Sequence, residues 1–280
     1  MKNFTDKVVV VTGAGSGMGR AYALELARRG AALALNDYDA AALAETVTSL
    51  PSSTTVITEH YDVSDRDATY RFAARVQTEL GGAHVVINNA GIEGGCQPVW
   101  ATEDRDYERV MAVNFYGVVH GTRAFLPQLL ARGEGAIVNV SSIFGLVGTP
   151  NHSDYNASKF AARGFTEALS AELLHTPITV HLVHPGGIDT NITRRAESQQ
   201  FSGKYLSTSP EAIARVVLDA VGTRKGRIVY GHGARKTWLG ARLLPQRLMA
   251  RAVWRDMAPV IDRSSYPASA HAVTTSEVQR

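Results

Sequence analysis

Between residues 7 and 230 the chain repeatedly alternates short β-branched runs with helix-length amphipathic stretches. Residues 7–12, 31–36, 54–61, 85–88, 135–140, 178–183 and 227–230 read as strands. Residues 18–29, 40–50, 66–80, a long stretch within 103–130, then 155–174 and 210–221 read as helices. An antiparallel hairpin needs only a two-residue turn, whereas a parallel pair needs a crossover of a dozen residues or more. With a helix in nearly every gap, the strands are expected to run parallel, joined by right-handed βαβ crossovers. The first run, Lys7 to Thr12, is continuous rather than alternating, as suits a strand covered on both faces. The expected fold is α/β: one doubly wound unit over residues 1–233, with about seven parallel strands and helices on both faces. With 280 residues, 45% of them hydrophobic, one large core can be buried.

Two regions break the alternation. Residues 187–209 are polar and poorly periodic, and a loop of that length inside a compact unit usually serves function. Residues 234–263 read as two short amphipathic helices split by Pro245, followed by a Ser/Thr/Ala-rich disordered tail over residues 264–280. From Arg224 to Arg263 ten lysines and arginines face only Asp256 and Asp262, while the rest of the chain is net acidic. Trp238, Leu239, Leu243, Leu244, Leu248, Met249 and Trp254 interleave with these arginines. Contact with a membrane surface would suit that pattern. Packing over a substrate entrance or against a neighbouring subunit is the favoured expectation.

The first strand runs into Thr12-Gly13-Ala14-Gly15-Ser16-Gly17-Met18-Gly19, which opens the first helix. Gly13, Ser16, Gly17, Met18 and Gly19 allow a tight turn and close approach of backbone to a pyrophosphate, whose charge meets the helix N-terminus. This strand–turn–helix context marks a Rossmann-type dinucleotide site. Asp37, ending the second strand, is placed to bond the ribose hydroxyls of NAD and to repel the 2′-phosphate of NADP. Asp62 and Val63, ending the third, would lie beside the adenine. NAD is the expected cofactor and NADP is disfavoured.

Tyr155 and Lys159 are four residues apart, so a helix sets a phenol and an ammonium on one face. The cation would lower the tyrosine pKa towards the working range of an acid–base group. Such a spacing also arises by chance in an amphipathic helix. Here it comes with Asn88-Asn89-Ala90-Gly91, Asn114, Ser141-Ser142 and Pro185-Gly186. Together these motifs, over about residues 7–190, resemble the short-chain dehydrogenase/reductase family. The resemblance implies that Tyr155 is the general acid/base and that Lys159 tunes it while binding the nicotinamide ribose. It implies that Ser142, rather than its neighbour Ser141, holds the substrate oxygen, and that Asn114 supports a proton-relaying water. Asn89, Ala90 and Gly91 would line the adenosine ribose. Pro185, Gly186, Ile188 and Thr190 would border the nicotinamide, with Thr190 bonding its carboxamide.

The activity so implied is an alcohol dehydrogenase or carbonyl reductase acting on a secondary alcohol or ketone. Alternatives are a non-catalytic dinucleotide-binding regulator, or epimerase or dehydratase chemistry with the same Tyr–Lys pair. Trp100, Ile143, Phe144, Leu146, Val147, Phe201 and Tyr205 are candidate walls of a lipophilic pocket, with Phe144 beside the substrate. Arg194 and Arg195 could meet an acidic group or simply be solvated, and His152, near Tyr155, could touch substrate, though a plain loop role is the favoured expectation. No metal site is expected, because the nine histidines lack zinc-type spacing and Cys96 is the only cysteine. No apolar run is long enough to span a bilayer. The expectation is a cytoplasmic homodimer or homotetramer that binds a small molecule and no nucleic acid.

Overall fold

The computed structural model describes residues 4–190 and 203–267. Phe201, Arg194 and Arg195, much of the 187–209 loop and the tail beyond residue 267 therefore lie outside the described residues. Seven strands form one parallel sheet in the order β3-β2-β1-β4-β5-β6-β7. They are β1 (Val8–Thr12), β2 (Ala32–Asp37), β3 (Val56–His60), β4 (Val85–Asn88), β5 (Gly135–Val140), β6 (Ile178–Pro185) and β7 (Arg227–Tyr230). The doubly wound parallel fold read from the sequence is the fold found.

The two faces of the sheet bury different helices because side chains alternate along each strand. Val9 and Val11 of β1 join the layer of α1 (Gly17–Arg28) and α7 (Pro210–Ala220), with Tyr22, Leu26, Ile213 and Leu218. Val8 and Val10 join the opposite layer, where Phe72, Phe125 and Leu169 come from α3 (Arg66–Leu80), α5 (Gly117–Arg132) and α6 (Ser153–Glu172). Local chemistry sets the helix ends. Asp39 accepts from the Ala42 N–H to start α2 (Ala40–Thr48), and Asp65 accepts from the Ala68 N–H to start α3. Gly81, in the left-handed region, closes α3.

The stretch read as one helix within residues 103–130 is three pieces. α4 (Asp104–Met111) passes through a π-helical turn, Ala112–Tyr116, into α5. The extra residue in that turn rotates Asn114 inward, and Asn114 is fully buried. Pro245 separates α8 (Ala234–Leu243) from α9 (Gln246–Met257). Residues 264–267, included in the unstructured tail by sequence, are placed on the body. Tyr266 packs edge-on to Trp100 and tilted against Trp254, and its hydroxyl donates to Asn151 Oδ1 at 2.8 Å. Among the described residues no helix is long and apolar enough to cross a membrane.

Candidate active site

β1 pairs with β2 on one side and β4 on the other, so the chain's winding reverses at its C-terminal end. Crevices at such switch points are where open α/β sheets take ligands. The glycine turn sits there. A Cβ on Gly19 would lie 1.8 Å from the Gly13 carbonyl oxygen, so only glycine lets α1 start this close to the strand end. Ser16, the α1 N-cap, makes no side-chain cap bond, which leaves the helix's first N–H groups turned to the crevice. Thr12 Oγ1 accepts from the N–H groups of Asn89 and Ala90, and Asn89 Nδ2 donates to the Thr12 carbonyl at 3.0 Å. Asn89 Oδ1 is buried without a partner, an acceptor aimed at the site. These residues fit a dinucleotide.

Asp37 reaches back to the turn. Its Oδ2 accepts from the Gly15 N–H at 2.7 Å and its Oδ1 from the Asp39 N–H at 2.8 Å. Each oxygen keeps a further lone pair for a ribose hydroxyl. Arg20, just past the turn, was not singled out by sequence, yet its guanidinium lies at the same end. It donates to the Gly15 carbonyl at 2.7 Å and to Glu45 at 3.0 Å. Asp62, expected beside an adenine, holds Arg109 at 2.6 Å and the Ser64 N–H and hydroxyl. Burial alone would raise the Asp62 pKa, and these three partners together lower it. Val63 is buried under α5.

A cavity of about 610 Å³ opens beyond the crevice. Met18, Asn89, Gly91, Pro185, Gly186, Ile188 and Thr190, all read from sequence, line it together with Ser142, Phe144, Tyr155 and Lys159. Gly13, Ser16, Gly17, Gly19, Asp37, Asp62, Val63 and Ala90 are not in its wall. They lie at the ends of β1 to β4, along the same edge of the sheet. Asn114 is not in the wall either. Its Oδ1 accepts from the Ile92 N–H at 2.8 Å, and its Nδ2 donates to the Ile92 carbonyl and to Ser158 Oγ.

The Tyr155 hydroxyl hydrogen-bonds Ser142. Ser141 points away and donates to the Lys159 carbonyl at 2.8 Å, which separates the two serines by geometry. Lys159 Nζ donates to the Val140 carbonyl at 3.2 Å and lies 5.5 Å from the Tyr155 ring centroid. The expected lowering of the tyrosine pKa by the lysine is not what governs this pair. Burial pushes the phenol up to about 12, opposed by the Ser142 hydrogen bond and reinforced by Glu93. Burial also brings the ammonium down to about 8. In both groups desolvation of the charged form outweighs their mutual effect.

Of the expected pocket walls, Ile143, Phe144, Val147 and Tyr205 line the cavity. Leu146 is buried outside it. Trp100 is 62% exposed and spends its indole N–H on the Ser265 carbonyl at 2.9 Å. His152 lines the cavity, edge-on to Phe144, and burial lowers its pKa. The sequence reading missed Glu93. Asn114 holds residue 92 on one side of it. On the other, Asp154 accepts from the Gly95 N–H at 2.6 Å and the Tyr155 N–H at 2.7 Å. Those two clamps fix the Glu93 segment against the start of α6. Also missed were Val253 and Met257, which with Met249 close the outer wall. Their i, i+4, i+8 spacing on α9 was the available signal.

The family model described as short chain dehydrogenase matches residues 7–200. The protein named "Putative oxidoreductase SadH" of Mycobacterium tuberculosis is 44% identical over 269 residues, covering 90% of this chain and 97% of that one. Epidermal retinol dehydrogenase 2 of Mus musculus is 41% identical over 175 residues, 62% of this chain and 56% of its own. A short chain dehydrogenase/reductase from Burkholderia phymatum, solved in complex with NAD, superposes with a TM-score of 0.76 at 32% identity. That match covers 81% of this chain and 90% of the other. The chain therefore belongs to the short-chain dehydrogenase/reductase family and is an oxidoreductase of that family.

Proposed function

We propose that the protein interconverts a lipophilic secondary alcohol and the corresponding ketone, with NAD(H) as cofactor and Tyr155 as the general acid/base. The observation that carries this reading is the convergence of the Ser142 and Tyr155 hydroxyls at the polar end of an otherwise apolar cavity. A nicotinamide dinucleotide bound along the sheet edge would supply the hydride acceptor or donor. Ser142 and Tyr155 bind the substrate oxygen between them and set the carbinol carbon towards Pro185, Gly186 and Thr190. In oxidation the Tyr155 oxygen takes the hydroxyl proton as the carbon loses hydride. In reduction it returns that proton to the developing alkoxide. Lys159, buried below the tyrosine, biases the phenol towards phenolate when its ammonium is charged.

Asp37 supports NAD over NADP, because a 2′-phosphate would meet its carboxylate while Arg20 is already engaged by Glu45 and the Gly15 carbonyl. The cavity's walls support a lipophilic substrate: Ile143, Phe144, Val147, Met249, Val253 and Met257 are apolar. The likeness to a protein named as a retinol dehydrogenase points the same way.

The test is a panel of secondary alcohols with NAD, followed by NADH absorbance. Long-chain and cyclic alcohols are expected to turn over, and turnover of small polar polyols alone would sink the substrate class. Tyr155→Phe should abolish turnover, by roughly 1,000-fold or more, while NAD binding measured by calorimetry persists. Near-normal rates would overturn the assignment of the proton to Tyr155.

A further inference from the structure

α9 has two dissimilar faces. Met249, Val253 and Met257 turn inward and close the cavity. Across the α8–Pro245–α9 hairpin the outward side is different, because all of residues 241–248 are exposed. Leu239 is 51% exposed, Leu243 70%, Leu244 44% and Leu248 48%. Single exposed leucines are ordinary on a protein surface, but four of them within the ten residues from Leu239 to Leu248 mark an apolar stretch. Arg235, Lys236, Arg242, Arg247, Arg251 and Arg255 are exposed on the same two helices, Lys236 and Arg255 at the cavity rim, with Asp256 the sole acidic residue of the two helices.

We propose that this hairpin docks the protein on an anionic lipid surface, with the leucines entering the headgroup boundary and the arginines meeting lipid phosphates. Apolar residues interleaved with basic ones are what such an interface binds. The charge argues against the obvious rival, a second copy seated through the same face. A two-fold contact would set the six cations of one hairpin against the six of the other. The stretch also borders the cavity. Lys236, Gly240, Leu244 and Met249 belong to both the hairpin and the cavity wall, so a seated bilayer lies next to the cavity rim. The sequence favoured packing over the entrance for this segment. The inward face of α9 does that, and the outward face is left for the lipid. This inference stands on exposure and charge and does not depend on the proposed reaction.

Co-sedimentation of the full chain with vesicles of phosphatidylcholine, with and without phosphatidylglycerol, tests it. The protein should pellet with the phosphatidylglycerol vesicles, stay in solution with phosphatidylcholine alone, and be released by added salt. Replacing Arg242, Arg247 and Arg251 together by glutamine should weaken partitioning roughly 100-fold, at about fivefold per basic side chain. Replacing Leu239, Leu243 and Leu248 together by serine should weaken it on the order of 100-fold as well. A Leu243→Trp reporter in the otherwise unchanged chain should be quenched by brominated lipid. Failure to pellet with phosphatidylglycerol, pelleting undiminished by the leucine changes, or an unquenched reporter would each overturn the proposal. So would a fall in sedimenting mass of the lipid-free protein on the leucine changes, since that would place a second copy on this face.

Discussion

Asp37 and Glu93 are the two carboxylates whose placement says most about selectivity. Asp37→Ala should lower the ratio of kcat/KM for NAD over NADP by about 10- to 100-fold, the value of a hydrogen bond to a charged group. An unchanged ratio would remove Asp37 from cofactor choice. Glu93 acts on the tyrosine from a distance. Its negative charge adds to burial in holding the phenol up, so removing it favours the phenolate. For alcohol oxidation the active form is the phenolate, and its fraction rises with pH. Glu93→Gln should therefore move the rise of kcat/KM to lower pH, and a profile that stays put or moves to higher pH would refute the coupling. Tyr155 and Lys159 were legible as candidates because one helix sets them on one face, and Ser142 was legible through the family resemblance. Glu93 and Arg20 were not. Glu93 is held between Asn114 and Asp154, and Arg20 reaches back to Gly15 and out to Glu45, so each depends on segments far away along the chain.

Among the elements, those bounded by strong stop signals were read to the residue. α3, β4, β5 and β7 begin and end where their flanking glycines and short apolar runs place them. The π-helical turn at Ala112–Tyr116 was invisible, since one extra residue per turn leaves no periodic mark in a short helix. α9 was visible as a helix but not as a cavity wall. Its attachment rests on few apolar side chains, so it should open separately from the sheet. Met257→Ala, which removes a buried side chain from that contact, should cost about 2 kcal/mol locally. Hydrogen exchange in α9 should quicken while β1, β4 and β5 stay protected, and KM for a lipophilic alcohol should rise more than kcat falls. Uniform quickening across the sheet would mean that α9 and the sheet open as one unit.

Taken whole, the molecule buries four histidines among the described residues, and two of them, His84 and His184, tie its sheet together. The Val8 N–H donates to His84 Nδ1 at 3.0 Å, and His184 Nδ1 lies 2.7 Å from the Ser142 carbonyl. Burial lowers both from 6.5 to about 4. Between those values the unfolded chain binds more protons than the folded one, so stability is full above about pH 6.5 and is lost as pH falls towards 4. His184, the more deeply enclosed of the two, contributes roughly 3 kcal/mol to that loss, and His84 contributes less because solvent screens it. Tm should therefore fall steeply on acidification from pH 7 to pH 4, and the imidazole resonances of His184 should not titrate near 6.5. A flat Tm over that range would contradict their burial as neutral groups. The all-parallel order of the sheet has a further consequence, for the timing of assembly. Val9 pairs with Leu33 on one flank and with Val85 on the other. A chain emerging from the ribosome can seat β2 beside β1 early, but the second flank of β1 stays unsatisfied until β4 has been made. Through that interval the middle of the finished sheet is an open edge, the kind on which a chaperone or another nascent strand can act.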